Sequence, residues 1–571
     1  MTVESVTKET KTMNEDSDTT YLHSKIILGI DLGTSGLRAS IVERRVSQES
    51  ETRDCHDFPD TIQDTVLAES KIVIDDSQSH SNTVLCNHDN QLRVQTNKSS
   101  IQDPQVWLSS LETLLTQLKT RIPFNRIDAV IADATSSTVM LCCEKGQLLT
   151  HALMYNDAQA EDEAKLISDY QQFYKALNGD IETAASGVSS SLAKVLYLYR
   201  NLSLQNLNKQ PLQIVHQVDW LNNYFLRFLA QGKCLSDENN LLKLGYDPVQ
   251  GDYPLWLKQF LKQEAPELRL PDVGVPGEPI AAIHPEVAER FGFKPECQIL
   301  FGSTDSIAGF FSSGATSIGD AVTSLGSTLA IKQLARNPVF STPHGLYSHK
   351  VHQYWLVGGA SNSGGKVLLK YYSLDEITLL DWFAVTLWKC AAENKKGISR
   401  NEDEAFYRVL SRMCETVVSL GEYYPLATPG ERFPVADSDY QPVLAAKPES
   451  RMDNGITHVL ESLRKEKTVK DLQQLSKRLG QVLNNQQTVC LLDHLRFFTS
   501  IVQGLTQVEK KAYDLMAELG VQRSALYAVG GGTRNSYWQL LRAHYLQNSQ
   551  NPLQSPFSLE ASYGITRLAR L

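Results

Sequence analysis

Ile26, Ile27, Leu28 and Ile30 make a short apolar run of the kind that forms a buried strand, and Asp31 with the turn Gly33-Thr34-Ser35-Gly36 ends it. A second apolar stretch, Leu37 to Val42, predicts that the chain returns as a hairpin, so order is expected to begin at Ile26. From about Arg45 to Gln102 Asp, Ser, Gln and Asn dominate, with brief strand-like pieces such as Lys71 to Ile74; this reads as a partly ordered insertion. Trp107, Leu108, Leu111, Leu114, Leu115 and Leu118 recur at helical spacing, and Ile127 to Ile131 predicts a strand that runs into Asp133-Ala134-Thr135-Ser136. Helix followed by strand is an α/β pattern.

The middle of the chain repeats the opening. Gln298 to Phe301 leads into Gly302-Ser303-Thr304-Asp305, and Asp320 to Val322 leads into Thr323-Ser324-Leu325-Gly326-Ser327-Thr328. Charged helical stretches follow from Glu376 to Tyr423 and from Glu449 to His494; Val469, Leu472, Leu475, Leu479, Val482 and Leu483 fall roughly on one face, the pattern of a solvated surface helix on an insertion. Leu505, Val508, Ala512, Leu515, Met516 and Leu519 predict an amphipathic helix closed by Gly520, and the strand Ala525 to Val529 then enters Gly530-Gly531-Gly532-Thr533.

A length of 571 residues implies two or more domains. The net charge of -10 disfavours bulk nucleic-acid binding, and no apolar run reaches the roughly 18 residues of a membrane span. Nine scattered cysteines with no C-x-x-C pair fit a reducing compartment without structural zinc. Residues 1 to 20 carry Lys8 and Lys11 against five acidic residues and no Arg, unlike an organelle transit peptide, so they read as a flexible tail of a cytoplasmic protein.

Several turns invite chemistry. A strand ending in Asp31 before Gly33, Thr34, Ser35 and Gly36 presents backbone N–H groups and hydroxyls to a phosphate, and the carboxylate makes sense beside it if Mg2+ lies between them through water. Leu325-Gly326-Ser327-Thr328 suits a second phosphate clamp by the same logic, although each segment also reads as an ordinary turn. Gly530, Gly531 and Gly532 remove three side chains where a backbone must lie against a flat group such as adenosine, with Asn535 and Trp538 opening the next helix; a flexible loop and a core Trp are the plainer alternatives. Asp305 is either a helix N-cap or a general base.

Together these motifs resemble the FGGY family of carbohydrate kinases from Ile26 to about Leu568. Asp31-Leu32-Gly33-Thr34 is similar to that family's first phosphate hairpin, the segment from Gly319 to Thr328 to its second, and the segment from Gly530 to Asn535 to its adenosine loop. The resemblance implies an α/β, actin/hexokinase-like ATPase fold of two α/β domains around a cleft. It implies a tail over 1–24, a sugar-binding domain over 25–300 with its polar insertion at about 45–102, and a nucleotide-binding domain over 301–571 with insertions at about 376–422 and 449–494. It further implies an enzyme using ATP and Mg2+: Asp305 catalytic; Asp31, Gly33, Thr34, Ser35, Gly326, Ser327 and Thr328 at Mg-ATP; Gly530, Gly531, Gly532, Asn535 and Trp538 at adenosine. Asp31, Ser136, Asp219 and Asp305 are implied at the substrate, with neither nucleic acid nor membrane as partner and a homodimer left open.

Within the family, Gln217 to Leu221, Leu242 to Tyr246, Gly358 to Asn362 and Tyr423 to Leu426 resemble ribulokinase-like and xylulose-kinase-like enzymes of cyanobacteria and plants, which implies D-ribulose first and D-xylulose second. Ala134 departs from the Gly of those relatives and adds a methyl group, which matters if backbone must approach the ligand there. An ATP-driven conformational protein on the same fold and a non-catalytic pseudokinase are the alternatives from other classes.

Overall fold

A computed structural model of the chain describes residues 21–47, 62–74, 99–179, 183–204, 210–393, 405–466, 472–547 and 552–571. Its first sheet is built on β1 (Tyr21–Leu32), β2 (Gly36–Ser47), β3 (Ile62–Val73), β4 (Ala129–Ala134) and β5 (Gln298–Leu300), with the short β6 (Ser303–Thr304) also beside β4. β3, β2 and β1 pair antiparallel, and β4 and β5 then add in parallel. Ile27, Leu28, Ile30 and Leu32 are fully buried because both faces of this central strand are covered, which is why the run lacks alternation.

The second sheet repeats the scheme. β7 (Asp320–Leu325), β8 (Leu329–Ala335) and β10 (Tyr354–Ser361) pair antiparallel, with β9 (Tyr347–Val351) outside β10, while β11 (Ala525–Val529) and β12 (Leu553–Gln554) add in parallel on the other side of β7. Each sheet therefore begins with a hairpin whose turn is rich in Gly and hydroxyl residues: Gly33 to Ser35 in the first and Gly326 to Thr328 in the second.

Helix α1 (Pro104–Leu118) packs on the first sheet with Trp107, Leu111, Leu114, Leu115 and Leu118 buried, and Leu108 partly so. Helix α2 (Gln217–Leu226) joins the same core. Helix α3 (Asp305–Ser312) leaves β6 and lies between the sheets: its Ile307, Phe310 and Phe311 share one apolar cluster with Ile27, Ile131, Val322, Leu334 and Val529. At the far end, the short helix Ala561–Gly564 crosses both α3 and β1 at backbone contact, since a Cβ on Gly564 would collide with the Ala308 carbonyl and one on Gly29 with the Ser562 carbonyl.

Three expectations change. The polar stretch contains β3, a full strand of the main sheet, and β1 already runs from Tyr21 rather than from Ile26. β3 hid because it is an edge strand carrying charge, and its pairing with β2 shifts register at Ile41/Val42, which breaks the two-residue period. The charged stretches contain helices Leu374–Glu393, Ala405–Val418, Asn454–Glu466 and Leu472–Val482, whose apolar sides belong to one core rather than to solvent; Leu472, Leu475 and Leu479 are buried and Val482 is exposed. Val469, like the tail at 1–20, lies outside the described residues. Finally, the amphipathic helix expected from Leu505 starts at Asn485, opened by a capping box between Asn484 and Gln487, because buried Thr499, Ser500, Gln503 and Thr506 blur its apolar stripe. Among the described residues no helix is long and apolar enough to cross a membrane.

The end of the chain is pinned to β2 and β3 by charge. Asp64 is fully buried and accepts from Arg44 at 2.9 and 3.1 Å, from Arg567 at 3.0 Å and from the Tyr563 hydroxyl at 3.2 Å. Desolvation alone would push its carboxyl up, but the two guanidiniums outweigh it and hold the group well below the usual carboxylate range. Asp64→Asn strands two buried guanidiniums and is expected to lower unfolding stability by about 3 to 5 kcal/mol. A denaturant titration showing a loss below about 1 kcal/mol would mean that this network does not hold the terminus.

Candidate active site

The carboxyl ends of parallel strands are where an open α/β sheet leaves a crevice. Here β1 and β4 run in register with Asp31 opposite Asp133, and β6 places Ser303 opposite Asp133 and Thr304 opposite Ala134. Asp305 follows as the first residue of α3. Thr304 is the N-cap of that helix, so the N-cap reading of Asp305 does not hold; its carboxylate instead accepts from the Ser306 backbone in the first turn. Three carboxylates thus meet at one rim.

They do not ionise alike. Asp133 is completely buried, and its oxygens find no donor among the described residues other than the neighbouring Asp31 carboxyl. Burial, then the charges of Asp31 and Asp305, raise it well above the usual range, which disfavours its charged form. Asp31 is raised by burial but opposed by Arg38, which sits directly across the hairpin on β2 and donates to its Oδ2 at 3.0 Å. Asp305 is half-buried, and desolvation and Asp31 push it up to about 6. A carboxylate with that value accepts a proton more readily than an exposed one.

The first hairpin turn is fixed from behind. Gln102 donates to the Thr34 carbonyl at 2.9 Å, Ile74 N to the Ser35 carbonyl at 3.0 Å and Gly33 N to the Gly36 carbonyl at 3.0 Å, with Thr34 half-buried and Ser35 exposed. The second turn is clamped by the start of the helix Lys366–Tyr371, where Gly365 N reaches the Gly326 carbonyl at 2.9 Å and Lys366 N the Ser327 carbonyl at 3.2 Å.

The glycine loop follows β11. Gly530 (φ 90°) and Gly532 lie against Leu325 of the second hairpin, whereas nothing approaches the position of a Cβ on Gly531. Asn535 caps the helix Ser536–Tyr545 by accepting from Trp538 N at 2.8 Å. Trp538 is buried with its ring against Gly532, so it supports the loop from beneath and offers no free face. That is the core alternative for Trp538.

Ser136 is partly exposed, one residue before Ser137, whose left-handed backbone (φ 69°) is held by Lys194. Thr135 N and its hydroxyl contact Gln217 Oε1 at 3.1 and 2.6 Å, tying this turn to α2. Asp219 is buried and accepts from His216 N at 2.8 Å, so it is taken up in capping α2. Beside it Asp237, raised to about 7 by burial, accepts from Asn240, and Asn239 donates to Ser303 Oγ at 3.2 Å.

The motif reading did not single out Asp133 as a site carboxylate, nor Arg38, Lys243 and Lys332. Lys332 left a signal, since it is a charged residue in Leu329-Ala330-Ile331-Lys332-Gln333-Leu334 on the same side of the strand as Leu334. Arg38 left none, because its role depends on cross-strand register.

No family model matches the chain. Similar solved structures include a gluconate kinase from Lactobacillus acidophilus (14% identity, TM-score 0.62, over 96% of this chain and 89% of that one). A xylulose kinase from Rhodospirillum rubrum (16%, 0.60, 95% and 88%) and the glycerol kinase of Plasmodium falciparum with ADP (14%, 0.58, 95% and 89%) are similar in the same way. The chain has the actin/hexokinase-like ATPase fold. At these identities it is the fold that is shared.

Among the described residues no group of three or more His, Cys, Asp or Glu side chains is placed to hold a metal ion directly. The donor set nevertheless suits Mg2+, which usually keeps several waters and takes one or two carboxylates plus phosphates: Asp31 offers hard oxygens at the rim, with the unsatisfied Asp133 behind it.

The glycine loop yields a contrast. Gly532→Val would drive its side chain into Trp538 and Leu325 and is expected to cost about 1 to 3 kcal/mol, whereas Gly531→Val, facing open space, should melt like the parent. Equal melting temperatures for the two variants would contradict this packing.

Proposed function

We propose that the protein is an ATP-dependent carbohydrate kinase of the FGGY kind that transfers the γ-phosphate to a hydroxyl of a ketopentose, D-ribulose in first place and D-xylulose in second. The observation that carries the reading is Asp305. It is a half-buried carboxylate with its pKa raised to about 6, at the start of a helix lodged between two sheets whose leading hairpins present Gly and hydroxyl turns. Support also comes from the likeness to sugar kinases over about 95% of the chain, one of them with ADP. The motif resemblance supplies the ketopentose preference.

In this reading the acceptor hydroxyl lies against Asp305. As the sugar oxygen forms its bond to the γ-phosphorus, the bond from that phosphorus to the bridging oxygen breaks, ADP leaves, and the hydroxyl proton passes to Asp305. Mg2+, when bound, neutralises phosphate charge. Asp31 would hold it through water, with Asp133, whose charged form burial disfavours, behind it. The Thr34 and Ser35 turn and the Gly326 to Thr328 turn hold phosphates with backbone N–H groups and hydroxyls. The open side of Gly531 receives the adenosine, and Ser136 meets the sugar.

Asp305→Ala is expected to retain ATP binding and to lose sugar-dependent ADP release by roughly 10²- to 10⁴-fold; near parental turnover in the folded variant would sink the mechanism. A base must be ionised, and a raised pKa means that ionisation is lost earlier as pH falls. The acid limb of kcat/KM is therefore expected near pH 6, with a drop of roughly tenfold between pH 7 and pH 5 that Asp305→Asn abolishes.

For the substrate, kcat/KM is expected to be higher for D-ribulose than for D-xylulose or glycerol, because a site that hydrogen-bonds each hydroxyl penalises a missing or inverted one. The reverse order in a parallel assay would replace the substrate while leaving the kinase class.

A further inference from the structure

Three cationic side chains, Lys332 of the second sheet, Lys243 and Arg432, gather in the neighbourhood of Asp305. Lys332 on β8 is only 7% exposed and shares its side of the strand with Leu334, which packs on α3. Its Nζ lies 3.0 Å from His349 Nδ1 and 5.9 Å from the centre of the Tyr347 ring. His349 is buried and kept neutral by burial and by the two nearby lysines, so its Nδ1 accepts and orients the ammonium. Burial, and then the charge of Lys243 from the turn Leu241–Leu244 next to Asn239 and Asn240, lower Lys332 to about 7.

Arg432 completes the set from an exposed position, and Lys243 is lowered by its own burial and then by the Arg432 charge. Its neighbour Glu431 is taken up by Ser361 Oγ, Asn362 N and the Tyr424 hydroxyl at 2.6 to 2.9 Å. Among the described residues none of the three cations lies within 4.0 Å of a carboxylate oxygen; the anion whose charge reaches both lysines is Asp305. Gathering like charges in a desolvated space is unfavourable unless a bound anion offsets it, and such sites tend to be functional.

We propose that Lys332, Lys243 and Arg432 form an oxyanion subsite facing Asp305, holding the phosphoryl group as it reaches the acceptor or, when the acceptor is a sugar acid, its carboxylate. The proposal rests on the sugar-kinase reading and adds to it a cationic wall on the acceptor side, apart from the two hairpin turns.

The test is steady-state kinetics of the full chain and of Lys332→Met and Lys243→Met, with D-ribulose and with D-gluconate at saturating ATP. It is joined by calorimetry of inorganic phosphate binding in the presence of ADP. If the subsite holds the moving phosphoryl group, kcat falls roughly 10²- to 10³-fold for every acceptor used while the sugar KM stays within threefold, and Lys332→Arg recovers part of the loss. If it holds an acceptor carboxylate, kcat/KM for D-gluconate falls at least tenfold more than for D-ribulose. Either pattern, with phosphate affinity weakened at least tenfold, upholds the subsite and identifies its anion. Parental turnover and parental phosphate affinity in both folded variants overturn it. If the parent phosphorylates neither sugar, the D-ribulose assignment fails, and phosphate affinity alone decides the subsite. Should Lys332→Met not fold, Lys332→Gln and Lys243→Met carry the same measurements.

Discussion

Three carboxylates cannot all stay ionised in one desolvated crevice, and much of this molecule is arranged around that constraint. Arg38 faces Asp31 across the hairpin and opposes the upward push of burial on its carboxyl; Asp133, with no cation in contact, is raised further by burial and by its carboxylate neighbours. Asp305 is left between, raised by its neighbours and moderated by Lys243, Lys332 and the Ser306 backbone. The electrostatics that make Asp305 a candidate base belong to the set, since the Asp31 charge raises it and the two lysines lower it.

The architecture holds this set in place by repetition. Each sheet opens with a hairpin and adds parallel strands beside it, so two Gly and hydroxyl turns arise from two separate sheets. Helix Asp305–Ser312 is the shared element: its apolar face is covered from both sides, and its first residue emerges where the β4 and β6 ends meet. Gly29 and Gly564 let the helix Ala561–Gly564 press backbone to backbone on β1 and on α3, and the Asp64 network fastens the chain just beyond it. A candidate base on a rigid, doubly packed helix loses little to reorganisation when a ligand arrives.

Buried polar groups thread through both halves and serve different ends. Glu509, with Arg542 and Thr323, is satisfied within the second core and reads as structural. Asp219, Asp237, Asn239 and Asn240 form a polar layer beside Ser303, in which Asp219 Oδ1 and Asn240 Oδ1 find no hydrogen-bond partner among the described residues. Polar atoms kept dry and unpaired beside a crevice are costly in isolation, which is the condition under which a ligand's hydroxyls bring a gain.

Local chemistry alone determined the strand at Ile26 to Ile30, the hairpin that follows, the helix at Trp107 to Leu118 and the Gly-hydroxyl turns, because each depends on neighbours within a few residues. The order of those motifs also carried the likeness to sugar kinases, and the fold agrees with it. Only the tertiary structure decided that the polar segment at 62–73 is a strand, that the charged helices turn their apolar sides to a core, and that Trp538 lies beneath its loop. It alone set Arg38 against Asp31 and Lys332 across from Asp305, since register and sheet placement join residues distant along the chain. Burial, and with it the pKa that makes a carboxylate a base, is a property of those distant neighbours, so no local pattern encodes it.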